Sequence, residues 1–237
     1  MAKLRMDKLL ADTGLWSRKE ARELIRTGRV IANGNLVTKG EEKVETDQLR
    51  LEVDGKAVVW QQFTYLMMNK PAGVLTATRD RRQKTVLDLL PPELRRQELR
   101  PVGRLDKDTE GLLLLTNDGA LSHRLLSPKS HVDKVYYAEI DGIVDNSDIS
   151  AFAQGMTLED GLVCQSALLR GLGEGKCLVT LREGKFHQVK RMLAARGKPV
   201  VYLKRLSMGG LNLDKSLKTG EFRPLSETEL ACLQSSC

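Results

Sequence analysis

No uninterrupted apolar run in this 237-residue chain is longer than four residues, and Leu112–Leu115 is one such run. A helix that spans a bilayer needs about 20 apolar residues, so no membrane span is expected, and the apolar side chains must be buried by short elements packed on one another. They make up 41% of the sequence, enough to fill a core and to exclude a wholly disordered chain. The opening residues, Met1-Ala-Lys-Leu-Arg-Met-Asp7, alternate charge with apolar side chains and contain no signal-peptide core. Cys164, Cys177, Cys232 and Cys237 form no Cys-x-x-Cys pair, and His123, His131 and His187 are scattered. Neither a structural zinc site nor a disulfide framework is expected, which predicts a soluble, cytoplasmic protein with no metal.

The net charge is +7, a modest excess that suits an anionic partner or serves solubility alone. Its distribution along the first sixty residues is more telling. Residues 6–13 put Met6, Leu9 and Leu10 on one helical face, and Gly14 follows as a stop. Ser17 and Glu20 then form a Ser-x-x-Glu capping box, which predicts a second helix carrying Ala21, Leu24 and Ile25 on its apolar face. Arg18, Arg22 and Arg26 recur every fourth residue on the opposite face, with Lys19 and Arg29 adjacent, and Gly28 closes the helix. Asn33-Gly34 between Val30-Ile-Ala and Asn35-Leu-Val predicts a hairpin with a type I′ turn. Such a row of arginines suits either a run of phosphates or a solvated face relieved by Glu20 and Glu23.

Residues 39–62 are polar, and a domain boundary is expected near residue 62, giving domains 1–62 and 63–237. Beyond it, Phe63–Met68 reads as a strand broken by Asn69-Lys-Pro-Ala-Gly73 and resumed at 74–78. Pro91-Pro92 forbids a long helix over 84–100. Further strands are expected at Gly111–Thr116, Lys134–Ile140 and Cys177–Arg182, and helices at 118–126, 147–154 and 187–196. No regular βαβ repeat emerges, so the expected fold class is α+β with a mostly antiparallel sheet. Gly171-Leu-Gly-Glu-Gly-Lys-Cys177 lacks the first glycine and the Ser/Thr of a phosphate-binding loop and reads as a hairpin turn.

Two segments concentrate reactive chemistry. In Arg104-Leu-Asp-Lys-Asp-Thr-Glu-Gly-Leu112, Asp106 and Asp108 stand among cations just ahead of an apolar strand. A carboxylate so placed stays ionised and can serve as nucleophile or base; an ordinary charged turn has the same composition. Carboxylates two residues apart in extended chain lie about 6–7 Å apart, which leaves a paired-carboxylate glycosidase open. The second segment is Glu183-Gly-Lys-Phe-His-Gln-Val-Lys-Arg-Met192, a basic helix start that suits an anion or a carboxylate.

Taken in order, Asn69-Lys-Pro-Ala-Gly, Gly103-Arg-Leu-Asp106-x-x-Thr109-x-Gly111-Leu-Leu, Lys134-Val-Tyr136 and Glu183-Gly-x-x-His-Gln-Val-Lys-Arg-Met resemble the RNA pseudouridine synthases over most of residues 63–225. Residues 5–55 resemble the alpha-L RNA-binding domain first described in ribosomal protein S-four. Gly220-Glu-Phe-Arg-Pro-Leu225 and the Lys190-Arg-Met ending are similar to the branch that acts on ribosomal RNA, nearest the small-subunit type. The resemblance implies Asp106 as the catalytic aspartate, Lys190 as its basic partner, and Tyr136 as the ring that stacks on the flipped base. Tyr137 is the less suitable neighbour. It further implies substrate contacts from Arg104, His187, Gln188 and Arg191, and RNA contacts from Arg18, Lys19, Arg22, Arg26 and Arg29. Asp108 falls in a variable slot and takes no catalytic role, while Glu110 replaces a residue that is small in many relatives. No cofactor is implied, because the reaction detaches uracil from ribose and rejoins it through carbon five. The implied partner is 16S rRNA of an assembling small subunit, with uridine 516 as target and the enzyme a monomer. The alternatives are an inactive RNA-binding ribosome-assembly factor and a synthase acting on 23S rRNA.

Overall fold

The computed structural model describes residues 3–127 and 130–236. They divide into two compact units, one built from the chain up to Thr64 together with Leu87–Arg100, the other from Tyr65–Val86 and Pro101 onward.

In the first unit, helices Met6–Asp12 and Arg18–Arg26 pack on a four-stranded sheet in the order Asn35–Leu36, Val30–Ala32, Leu51–Val53, Lys56–Val58. Met6, Leu9 and Leu10 from the first helix meet Ala21, Leu24 and Ile25 from the second in one buried cluster. Both halves of the expected capping box form: Ser17 Oγ accepts from the Glu20 N–H at 3.2 Å, and Glu20 accepts from the Ser17 N–H at 2.6 Å. Asn33 and Gly34 both take positive φ, at 50° and 80°, as a type I′ hairpin demands. The first stretch of this unit ends at Thr64, and Leu87–Arg100 returns to it. Gln97 Nε2 donates to the Thr13 carbonyl at 2.9 Å, and Arg96 donates to the Leu15 carbonyl at 3.2 Å. The approach is so close that a Cβ on Gly14, itself at φ 79°, would collide with the Glu93 carbonyl oxygen.

The arginine row is also less uniform than its spacing predicts. Asp7, fully buried, accepts from Arg5 at 3.1 Å, from Arg22 at 2.9 Å and from Arg18 at 3.4 Å. Arg26 instead pairs with Glu23 at 2.9 Å, and Arg29 pairs with Asp54 at 2.6 Å. Sequence periodicity sees only which residues share a face; it does not see the carboxylate that a neighbouring helix brings to that face.

The second unit is organised by a sheet that runs, edge to edge, Leu168–Gly171, Lys176–Leu181, Lys134–Ile140, Val200–Met208, Glu110–Thr116, Tyr65–Lys70, Phe222–Pro224. Every pair along that path is antiparallel except Val200–Met208 beside Glu110–Thr116, which is parallel. Leu112 through Leu115 are wholly buried, so the leucine run serves both faces of the sheet. Gly111 sits at φ 101° where the parallel neighbour passes, and a Cβ there would collide with the Arg205 carbonyl oxygen. Helices form at Gly119–Leu126, Asn146–Gln154 and Gln188–Ala195, within a residue or two of expectation. Gly171–Lys176 is indeed a hairpin connection.

Three expectations fail. The strand ending at Met68 continues through Asn69 and Lys70, and residues 74–78 form no strand, only an isolated bridge from Leu75 to Thr85. Val200–Met208 is a full strand that the sequence pattern does not reveal, because its buried position Arg205 carries a charge where alternation calls for an apolar residue; its Nε donates to the Leu112 carbonyl at 2.8 Å. The helix Glu227–Ser235 is likewise absent from the sequence reading, although Ser226 and Glu229 form a capping box.

Burial raises the pKa of Asp7, but the hydrogen bonds from Arg5, Arg22 and Arg18 outweigh it and hold the carboxyl below its ordinary 3.8. The stability Asp7 contributes is therefore complete above pH 3.8 and is lost as pH falls through its lowered value. Asp7→Asn is expected to cost about 2–3 kcal/mol at pH 7, less than for a fully buried pair because the arginines are half exposed. The variant should also lose stability less steeply below pH 4 in urea titrations than the parent chain.

Candidate active site

Asp106 lies in the loop that enters the strand Glu110–Thr116, and this loop is held from below by a lysine. Lys70, fully buried at the end of its strand, donates from Nζ to the carbonyls of Asp106 at 3.0 Å, Lys107 at 3.2 Å, Thr109 at 2.9 Å and Pro71 at 3.0 Å. Burial pushes its pKa down to about 8 against the pull of Asp108, Asp106 and Glu110, so it stays mostly charged at neutral pH. On the other side of the loop, Thr76 Oγ1 donates to the Leu105 carbonyl at 2.7 Å. The backbone around Asp106 is thus tied at consecutive residues.

The Asp106 carboxylate faces an ammonium and an imidazole supplied by the helix Gln188–Ala195 and its approach. Lys190 Nζ is 3.6 Å from Oδ2, and His187 Nε2 is 3.6 Å from Oδ1. Both distances are longer than a hydrogen bond, and the ammonium is close enough for electrostatic attraction. Lys190 makes its shorter contact with Asp108, whose carboxyl is lowered first by that hydrogen bond. Asp108 is 74% exposed, so the ammonium is shared between a half-sheltered and a solvated carboxylate. His187 holds a left-handed conformation at φ 50°, unusual for a residue with a side chain, and its ring stacks on Phe186 with centroids 3.8 Å apart. Glu110 is turned away from Asp106 by a hydrogen bond from Tyr202 Oη at 2.8 Å, and the Tyr202 ring meets Tyr137 edge-on.

A cleft that is half open to solvent lies at Asp106. Arg104, Thr109, Tyr136, Lys185, His187 and Leu203 line it. Tyr136, buried, comes from the central strand Lys134–Ile140, opposite Val179 and Arg205, whereas Tyr137 points to Glu139 and donates to it at 2.9 Å. Thr109 Oγ1 is buried without a hydrogen-bond partner among the described residues. Among the described residues, no group of three or more His, Cys, Asp or Glu side chains is arranged to hold a metal ion.

Residues 64–195 match the family model described as RNA pseudouridylate synthase, and residues 4–49 match that of the S4 domain. The chain belongs to the RNA pseudouridylate synthase family. It is 49% identical over 234 residues to the RNA pseudouridine synthase YtzG of Bacillus subtilis, covering 97% of this chain and 98% of that one. It is 40% identical to the ribosomal small subunit pseudouridine synthase A of Pseudomonas aeruginosa, covering 96% of this chain and 99% of that one. It is 38% identical to the ribosomal large subunit pseudouridine synthase B of Bacillus subtilis, covering 98% and 96%. A crystal structure of a pseudouridylate synthase superposes with a TM-score of 0.69 at 36% identity, covering 97% of this chain and 99% of that one. The protein is therefore an RNA isomerase with an S4 domain ahead of its synthase domain.

The chain brings Arg104, Asp106, Tyr136, His187 and Gln188 to one cleft and sets Lys190 beside it. Gln188 is buried in the cleft wall, its Oε1 accepting from the Lys185 N–H at 3.0 Å and its amide donating to Glu183. Arg191 pairs with Asp160. Lys70 takes no role in the sequence reading although it stands in the Asn69-Lys-Pro motif, because a lysine reads as a surface charge until the carbonyls above it are seen. Lys70→Met keeps the volume but leaves those carbonyls without a donor. It is expected to lower stability by about 3 kcal/mol and to reduce turnover beyond that loss, measured by denaturant titration and by activity per folded molecule.

Proposed function

We propose that this synthase isomerises a uridine of ribosomal RNA, with Asp106 as nucleophile. The observation that carries the reading is the carboxylate of Asp106 set between Lys190 and His187, at 3.6 Å from each, beneath a cleft that Tyr136 also lines. Lys190 places a positive charge beside the carboxylate that attacks. The uridine leaves its stack to enter the cleft, at a cost of a few kcal/mol that contacts to the RNA offset. There the bond from ribose to ring nitrogen breaks, and a bond from the same sugar carbon to carbon five of the ring forms. The proton of carbon five is released and the freed nitrogen gains one, so no group donor, redox cofactor or metal is required. Tyr136 supports the base by stacking and stands within reach to assist removal of that proton. Arg104, exposed at the cleft, suits a phosphate or the space vacated by the base.

Relatives named for both ribosomal subunits match this chain. We favour the small subunit, with uridine 516 of 16S rRNA as target and a monomer acting in the cytoplasm. The first unit supplies RNA affinity through Arg18, Lys19, Arg22, Arg26 and Arg29. Because Arg5, Arg18 and Arg22 outnumber the carboxylates of Asp7 and Glu41, the cluster keeps one positive charge in excess and remains attractive to phosphate.

The test is tritium release from 16S and 23S transcripts labelled at carbon five of uridine, under single-turnover conditions. The parent chain should release tritium from 16S rRNA with EDTA present, and mapping should find the new pseudouridine at position 516. Asp106→Asn should fall by several orders of magnitude while binding RNA normally. Asp108→Asn should keep most activity, since Lys190 then serves Asp106 alone, and Lys190→Ala should fall between the two. An active Asp106→Asn variant would remove the proposed nucleophile. Arg18, Arg22 and Arg26 replaced together by Ala should lower the log–log salt slope of RNA binding by about 0.7–0.9 for each phosphate that the row neutralises; an unchanged slope would make them solvated charges.

A further inference from the structure

Phe186 is 71% exposed, one of the most exposed large apolar side chains among the described residues. Only four phenylalanines occur in the chain, and this one stands in the loop immediately before the helix that carries Lys190. One face of its ring is covered by His187, with centroids 3.8 Å apart and planes within 18° of parallel. His187 in turn reaches toward Asp106 at 3.6 Å. Gly184, Lys185 and His187, which flank Phe186 in the chain, line the cleft. The result is an exposed apolar ring set among the residues that form the cleft wall.

We infer that Phe186, backed by His187, is a stacking platform for a nucleobase of the RNA next to the flipped uridine. This rests on the proposed reaction at Asp106. When a uridine leaves its stack, its neighbour loses a stacking face, and an exposed aromatic ring beside the cleft replaces that face. An open ring costs nothing in specificity, because every base has a π-face. The chain's net charge of +7 favours a polyanion over an apolar peptide as occupant. The scarcity of aromatic residues limits the platform to one base rather than a tract, so it selects a position next to the target and not a long single strand.

The experiment compares the full-length chain with Phe186→Leu and Phe186→Tyr on a 16S rRNA transcript. Equilibrium affinity is measured across a salt series, together with single-turnover tritium release at saturating RNA. Phe186→Leu keeps an apolar side chain but loses the flat ring; its affinity should fall about tenfold at every salt concentration, since the phosphates stay neutralised as in the parent. Phe186→Tyr should bind within about twofold of the parent, and all three should react at similar rates once saturated. Parental affinity in Phe186→Leu, or equal weakness in Leu and Tyr, overturns the platform. A lower rate at unchanged affinity also overturns it, since that pattern belongs to a prop for His187. Absence of tritium release by the parent chain would overturn the reaction at Asp106 instead, while the affinity series still decides the platform.

Discussion

A buried ammonium group anchors the reactive centre of this synthase. Lys70 ends the strand Tyr65–Lys70, and its Nζ gathers the carbonyls of Pro71, Asp106, Lys107 and Thr109. A charge buried in this way is unfavourable unless its donors are used, and here they are used on the loop that carries Asp106. The strand is itself fixed by antiparallel pairing to Glu110–Thr116, the strand into which that loop runs. The Asp106 backbone is therefore positioned by the rigid centre of the sheet, although the residue itself lies in a loop.

The electrostatics above that anchor are a balance among close charges. Asp106, Asp108 and Glu110 follow one another through a turn in which the Thr109 N–H donates to the Asp106 carbonyl at 3.1 Å, and each is handled differently. Asp106 faces Lys190 and His187, Asp108 takes the nearer contact of Lys190, and Glu110 accepts from Tyr202. The carboxylate at residue 110 is thus accommodated by a tyrosine from the adjacent parallel strand. Asp108 has more consequence than a variable slot suggests: it holds the cation that the proposed nucleophile also uses.

The first unit follows the same pattern of cations gathered by a buried partner. Asp7, on the first helix, draws together Arg18 and Arg22 from the second helix and Arg5 from the strand before the first, and the helices close over Met6, Leu10 and Leu24 beneath. The cluster is both a structural joint and a concentration of positive charge, because three guanidinium groups outnumber the carboxylates of Asp7 and Glu41.

What the sequence determined by itself depends on neighbours along the chain. The Ser17–Glu20 capping box, the Asn33-Gly34 turn, the stop at Gly14 and the strand at Lys134–Ile140 are set by local backbone preferences and by side-chain period. The order of the motifs around Asp106, Tyr136 and Lys190 was enough for the family. The tertiary structure alone decided the partners of charged residues. Lys70, Arg205 and Asp7 are buried ions whose acceptors or donors come from segments that, for Lys70 and Arg205, lie more than thirty residues away. In the sequence they look like surface charges, and they break the apolar patterns by which strands and helices are found. The same holds for the return of Leu87–Arg100 to the first unit and for the exposed ring of Phe186 against His187. The physical reason is the same throughout: period and capping act over three or four residues, whereas a buried charge is stable only where the folded chain brings its counterpart to it.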